Sequence, residues 1–229
     1  MINIIIPTYN EAATIKKTIE RLQQYDIDGL IKQIIIVDGG SIDDTINIAK
    51  TMGVKAVVSP KKGRASQMNF GATLTTENIL YFLHADTTPP ESFIKDISIA
   101  VKQGYGSGCF QLSFDYKHWF LNLNCWFTRF NVNAVRFGDQ SLFVRKEIFK
   151  KSGGFREEMF LMEDQEIIHR LKKQGKFIVL NAKVITSARK YLDNGIYKIQ
   201  FIFYTIWMLY YLGFSQQYLI RIYHKLLKR

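Results

Sequence analysis

The ten residues Tyr81–Pro90, YFLHADTTPP, decide how this chain is read. The run Ile79–Leu83 is apolar and short, the composition of a strand buried on both faces, and Pro89-Pro90 cannot continue a hydrogen-bonded ladder. An imidazole and a carboxylate, His84 and Asp86, therefore stand at the end of a central strand, where open α/β sheets place their ligand crevices. An aspartate there suits a divalent cation that bridges phosphates, because Mg²⁺ takes only one or two carboxylates besides phosphate oxygens. The structural alternative makes Thr87 or Thr88 the cap of a helix that starts at Pro89 or Pro90.

Upstream, Asn3–Ile6 reads as a first strand that ends at Pro7-Thr8-Tyr9-Asn10-Glu11, and Ile15, Ile19 and Leu22 then follow helical spacing. Ile34–Val37 is a second strand closing at Asp38-Gly39-Gly40-Ser41, Thr45–Met52 a helix, and Val54–Val58 a third strand. This alternation predicts parallel pairing with right-handed crossovers. The loops Pro7–Glu11, Asp38–Ser41 and His84–Asp86 should then open on one edge of the sheet. Each alone is ordinary turn chemistry; three at successive strand ends point to a site. Pro60–Gln67, with Lys61, Lys62, Gly63 and Arg64, feeds a helix carrying Asn69 and Gly71, an arrangement suited to an anion. Walker spacing is absent and no GxGxxG follows the first strand, which argues against P-loop and dinucleotide chemistry.

The 229 residues carry 31 Lys and Arg against 20 Asp and Glu, a formal charge of +11. Such a balance points to a polyanionic partner: nucleic acid, an anionic membrane surface or a phosphorylated small molecule. The basic residues are scattered and no recognition module stands out, so nucleic acid is the weakest of the three. Cys109 and Cys125 have no metal-ligand spacing and fit a reducing compartment. The opening Ile4-Ile5-Ile6 has no basic n-region before it and does not read as a signal peptide.

Downstream, Gly104–Gly108 reads as a glycine-rich turn and Phe110–Phe114 as a strand. An aromatic, helix-like stretch holds Trp119, Phe120, Trp126, Phe127 and Phe130, which reads as core or as packing against another helix. Arg129 and Arg136 lie on or near it, placed to meet a phosphate. Gly138-Asp139-Gln140 precedes another strand, Ser141–Arg145, and Met162-Glu163-Asp164 opens a helix containing Ile167, Ile168 and Leu171. Acidic residues in a first turn also complement the helix dipole, so Glu163 and Asp164 have a structural reading as well. Phe177–Leu180 and Lys183–Ile185 read as two late strands, with Ser187–Lys190 a loop. Phe201–Phe214 is apolar or aromatic except for Thr205, yet shorter than the ~20 residues of a membrane span. Basic residues flank it, so membrane-surface attachment and packing on the domain or in a homo-oligomer interface are both open.

Taken in order, Pro7–Glu11, Asp38–Ser41, Gly63-Arg64, Asn69 with Gly71, His84-Ala85-Asp86 and Glu163-Asp164 resemble the family 2 glycosyltransferases of GT-A fold. The likeness is greatest to a small bacterial branch that ends in a Ser-Ala-Arg-Lys-like segment and a hydrophobic tail. It implies an α/β, Rossmann-like mixed sheet flanked by helices over 1–195 and a hydrophobic, basic helical appendix over 196–229. The implied activity is inverting transfer of a sugar, from a nucleotide-diphosphate donor of the UDP-sugar kind, to an acceptor hydroxyl. A lipid or cell-envelope precursor is one acceptor class, and a cytoplasmic place at the inner face of the membrane would suit it. The resemblance puts Pro7, Thr8, Tyr9, Asn10, Glu11, Asp38, Gly40, Ser41, Gly63, Arg64, Asn69, His84, Ala85 and Asp86 around the donor. Asp86 would hold Mg²⁺ or Mn²⁺, Asp164 would be the general base with Glu163 beside it, and Asp139, Gln140 and Arg189 would face the acceptor. The family commonly has Asp-x-Asp where this chain has His84-Ala85-Asp86, so the first carboxylate is replaced by an imidazole. The alternatives are a sugar-nucleotide nucleotidyltransferase and a non-catalytic nucleotide-binding scaffold.

Overall fold

In the computed structural model, which describes residues 1–227, the chain opens with strands and helices in alternation. These are β1 (Ile2–Thr8), α1 (Ile15–Tyr25), β2 (Ile31–Asp38), α2 (Thr45–Thr51), β3 (Lys55–Val58), α3 (Arg64–Thr73) and β4 (Ile79–Phe82). The four strands are parallel, with β2 between β1 and β3, and β4 on the other side of β1. The alternation has a simple cause. β1 is apolar on both faces, so each face needs a cover: Ile4 and Ile6 pack with Ile15, Ile19 and Leu22 of α1, while Ile5 packs with Met68 and Ala72 of α3. Burying each such side chain contributes about 1.5–3 kcal/mol.

Beyond β4 the chain forms β5 (Thr87–Thr88), α4 (Phe93–Lys102), β6 (Ser107–Phe114), α5 (Trp119–Phe127), β7 (Leu142–Arg145), α6 (Lys146–Lys151), α7 (Glu163–Gln174) and β8 (Phe177–Thr186). Three helices close it: α8 (Arg189–Asn194), α9 (Ile196–Tyr211) and α10 (Gln216–Leu227). The sheet has eight strands in the order β3-β2-β1-β4-β7-β6-β8-β5. It is mixed, because β7 runs antiparallel to both β4 and β6 while β6 and β8 are parallel.

Several expectations change. Thr87 and Thr88 cap no helix; they pair antiparallel with Thr186 and Ile185. Pro89-Pro90 lie outside any helix and α4 begins only at Phe93, whose N–H bonds the Pro90 carbonyl. The two late strands are one, β8, whose pairing with β6 shifts register between Phe110 and Gln111. Part of the supposed turn at Gly104–Gly108 is strand, since β6 starts at Ser107. Within Ser187–Lys190, the last two residues already belong to α8.

Arg136 meets no phosphate. It is 0% exposed, and its guanidinium donates to the carbonyls of Thr128 (2.6 Å), Val132 (3.2 Å) and Phe130 and to Cys109 Sγ (3.2 Å). It ties the turn after α5 to β6. The last helices pack as well: Ile199, Ile202 and Ile206 of α9 share a cluster with Leu121, Ala188, Tyr191 and Leu219.

Arg136→Leu keeps an apolar stem but removes every donor. Three carbonyls and Cys109 Sγ each lose one hydrogen bond, at ~1 kcal/mol for each such bond. Urea unfolding is expected to show a clearly lower midpoint for the variant, and an unchanged midpoint contradicts the role assigned to the guanidinium.

Candidate active site

The carboxyl ends of β1, β2 and β4 bring the three loops together on one edge, as expected. The first two are laced to each other. Asn10 N–H donates to Ser41 Oγ (2.8 Å), Ile42 N–H to Asn10 Oδ1 (3.0 Å), and Glu11 N–H to Thr45 Oγ1 (2.8 Å). Asp38 is buried, and its carboxylate accepts from Thr8 Oγ1 (3.3 Å), Gly40 N–H (2.8 Å), Ser41 N–H (2.8 Å) and Ser41 Oγ (2.5 Å). Asp38 therefore shapes this loop, and its acceptor sites are filled from within the protein. Tyr9, at the rim, is exposed.

Gln67, which the sequence did not single out for this role, locks the same corner. Its buried amide donates to the carbonyls of Thr8 (2.8 Å) and Val37 (2.7 Å), where β1 and β2 end. Asn69, two residues on and so on the opposite side of the helix, is not in the cleft. It exchanges hydrogen bonds with the backbone of Phe155, 2.8 Å each way, and so fastens α3 to the segment before α7. That overturns its reading as a donor contact.

The His84–Asp86 turn is pinned from two sides. Thr18 Oγ1 on α1 donates to the Ala85 carbonyl (2.7 Å), and Ser187 N–H donates to that of Asp86 (3.2 Å). The buried Ala85 leaves His84 and Asp86 to face outward. His84 Nδ1 lies 2.9 Å from Asp139 Oδ1. Burial and Arg64 pull the imidazole pKa down, but Asp139 and Asp164 outweigh them and leave it above the usual histidine value. The Asp139 carboxyl is held low by His84 and Arg64 in spite of its own burial. The position that commonly carries the first carboxylate thus carries an imidazole, bonded to a carboxylate from a loop 55 residues downstream.

Gly63 and Arg64 open α3 at the cleft. Arg64 Nη1 lies 3.2 Å from Glu163 Oε1. Partial desolvation opposes the charge of this half-exposed side chain, yet Glu163, Asp164, Asp139 and Asp86 together raise its pKa further above the ordinary arginine value. Of the neighbouring lysines, Lys61 is paired with Glu157 at 2.8 Å. Glu163 is 4% exposed; desolvation and the adjacent Asp164 outweigh Arg64 and push its carboxyl up to about 7. Asp164 is only half-buried, and its carboxyl is also raised, by burial against the pull of His84 and Arg64.

Gly138 is the close approach that permits this. A Cβ there would overlap Asp164 Oδ2 and come within 2.9 Å of His84 Cε1. The sequence showed a glycine before Asp139 but no reason for it. Gln140, expected at the acceptor, is instead 1% exposed and donates to the Phe110 carbonyl (2.8 Å) while accepting from Phe137 N–H (3.1 Å). It holds the loop that presents Asp139. Arg189 crosses to the first loop, its Nη2 3.4 Å from Glu11 Oε1.

Among the described residues no three His, Cys, Asp or Glu side chains are gathered as a metal cage. The donor set is a single carboxylate: Asp86 receives the Thr87 hydroxyl at 3.4 Å, and burial, Asp139 and Glu11 raise its pKa. An oxygen ligand under anionic strain fits a divalent cation shared with a diphosphate.

The family model described as glycosyl transferase family 2 matches residues 3–151. An uncharacterized glycosyltransferase of Rickettsia typhi is 33% identical over 85 residues, 37% of this chain and 27% of that protein. Glucosyl-3-phosphoglycerate synthase of Mycobacterium tuberculosis is 32% identical over 99 residues, 39% of this chain and 30% of the enzyme. The matched stretch thus spans less than a third of either relative. The solved complex of the latter with Mn²⁺, UDP and glucosyl-3-phosphoglycerate has a TM-score of 0.61 at 17% identity, over 80% of this chain and 70% of that one. Mannosyltransferase PcManGT from Pyrobaculum calidifontis, in complex with GDP-Man and Mn²⁺, has a TM-score of 0.71 at 15% identity, over 97% of this chain and 68% of that one. These likenesses carry the fold, which is GT-A: a mixed eight-stranded sheet flanked by helices.

Two outcomes test this geometry. Gly138→Ala should displace Asp164 and leave the fold intact, read as a changed near-ultraviolet spectrum or crystal structure with an unchanged far-ultraviolet spectrum. Because the Glu163 pKa is raised, the folded chain binds its proton more tightly than the unfolded chain does. That stabilisation is complete below the ordinary 4.5 and is lost as pH rises through about 7. The melting temperature of Glu163→Gln should therefore fall less across this window than that of the wild type, and identical pH profiles would refute the assignment.

Proposed function

The chain belongs to glycosyl transferase family 2, and on that premise we propose that it moves a sugar, with inversion, from a nucleotide-diphosphate donor to an acceptor hydroxyl. The observation that carries this reading is the meeting of Asp86, at the end of β4, with Asp164, at the start of α7, around Arg64 and the His84–Asp139 pair.

The nucleoside would lie against the first two loops, with Pro7, Thr8, Tyr9, Asn10, Glu11, Gly40 and Ser41 as its borders. Asp38 and Gln67 would act through the loop shape they maintain. Ala85 would let the turn pass closely beneath. Gly63 and Arg64, at the positive end of α3, would meet the diphosphate and offset its charge as the glycosidic bond breaks. Asp86 would hold Mg²⁺ or Mn²⁺, which when bound supplies Lewis-acid stabilisation of the leaving diphosphate. The complexes of the two relatives with UDP and with GDP-Man support a nucleotide diphosphate as donor chemistry. A UDP-sugar is our proposal.

Asp164 is the proposed base. It would take the acceptor proton as the oxygen attacks the anomeric carbon. A carboxyl raised by burial retains more basicity than an exposed one, which suits that task near neutral pH. Glu163, tied to Arg64, would set the guanidinium in place. Asp139 and Arg189 would border the acceptor, with 1–195 as the transfer domain and 196–229 as its appendix. A lipid-linked acceptor is the acceptor class we propose.

Asp164→Asn is expected to lower transfer by ~10²–10⁴-fold while donor binding persists. Calorimetric titration with UDP and GDP, with and without Mn²⁺, should show metal-dependent binding of one nucleotide that Asp86→Ala weakens. Wild-type turnover in Asp164→Asn would remove the base assignment. Pyrophosphate as the product would make the protein a nucleotidyltransferase.

A further inference from the structure

We propose that the joined faces of α5 and α9 form a docking surface for an anionic phospholipid bilayer. Two exposed stripes run at helical spacing: Trp119, Leu123 and Trp126 on α5, and Phe201, Tyr204 and Met208 on α9. Trp119 is 65% and Phe201 64% exposed, values at which apolar side chains of this size face solvent directly. The helices are neighbours. Leu121 packs with Ile199 and Ile202, the rings of Phe120 and Tyr197 lie 5.2 Å apart, and the Tyr204 hydroxyl bonds the Asn124 amide oxygen. The stripes therefore make one wall, wider than the hydrophobic segment 196–229 alone.

Its charge selects the occupant. Residues 116–138 and 195–215, which hold both stripes, contain no Asp or Glu, yet they carry Lys117, Arg129 and Lys198. Arg129 sits over the exposed Trp126 ring, 4.7 Å from its centroid. Aromatic rings with basic neighbours are what an anionic lipid–water interface takes up, and each Lys or Arg near such a surface strengthens binding. A second copy of this chain would bring the same positive charge against itself. Among the described residues no helix is long and apolar enough to cross a membrane, so the contact is with a surface.

The wall also touches the site. Trp207 Nε1 donates to the Ala134 carbonyl (2.9 Å), Tyr211 Oη to Gln165 Oε1 (2.9 Å), and Gln216 Oε1 accepts from the Phe160 and Leu161 amides (3.3 Å each). A bilayer seated on α9 would hold still the segment that leads into Glu163 and Asp164. Its plane would lie next to the acceptor side, a consequence that rests on the transferase reading. The docking surface itself does not.

The test is co-sedimentation of the full chain with phosphatidylcholine vesicles, with or without phosphatidylglycerol, at low and high salt. Binding is expected to anionic vesicles only, to fall with salt, and to shift tryptophan emission to the blue. Trp126→Ser with Phe201→Ser, both exposed sites, should weaken partition roughly tenfold or more. Arg129→Glu with Lys117→Glu should do so through charge. Circular dichroism and UDP titration report folding and the donor site separately, so the surface is judged whether or not the chain transfers sugar. Wild-type protein left in the supernatant with anionic vesicles at low salt overturns the proposal. So does a dimer in analytical centrifugation that Phe201→Ser dissociates, because the wall then belongs to a second copy.

Discussion

Four carboxylates, Asp86, Asp139, Glu163 and Asp164, share one partly buried cleft with the Arg64 guanidinium and the His84 imidazole. Removing so many like charges from water is unfavourable unless each meets a cation, a proton or a ligand. The site resolves this by pairing. Asp139 takes His84, Glu163 takes Arg64 and is pushed towards its protonated form, and Asp86 is left as the oxygen donor with little protein support. The replacement of a carboxylate by His84 belongs to the same balance. A fifth anion at that position would deepen the repulsion, whereas an imidazole adds no negative charge and bonds Asp139.

Such a balance holds only if the groups cannot drift apart, and much of the surrounding structure restrains them. Asp38 and Gln67 fasten the first two loops to the ends of β1 and β2. Thr18 and Ser187 fasten the His84–Asp86 turn. Met162, directly before Glu163, has φ 67°, a left-handed conformation that costs a residue with a side chain of order 1–3 kcal/mol. The packing of Leu161 and Met162 against the C-terminal cluster and the Gln216 hydrogen bonds keep it there. The closing helices are thus part of the support of the site.

Much of this was legible in the chain. The strand-like runs Asn3–Ile6 and Ile34–Val37, the alternation with helices, and the three loops on one edge follow from periodicity and burial. The position of Asp86 at a strand end was equally readable. Individual polar roles were less so. Asn69, Gln140 and Arg136 have the same composition cues as ligand contacts, yet each satisfies backbone groups in the interior. Gly138 gave no local sign that a side chain there would strike Asp164.

The sequence by itself determined the sheet, its ligand edge and the inventory of chemistry there, because these depend on short-range periodicity and on where apolar runs stop. The tertiary structure decided which polar groups face the cleft, which pair with each other, and what pKa each carries. A hydrogen bond or a charge interaction acts over a few ångströms in space. His84 and Asp139, or Arg64 and Glu163, become partners only when strands far apart in the chain are laid side by side.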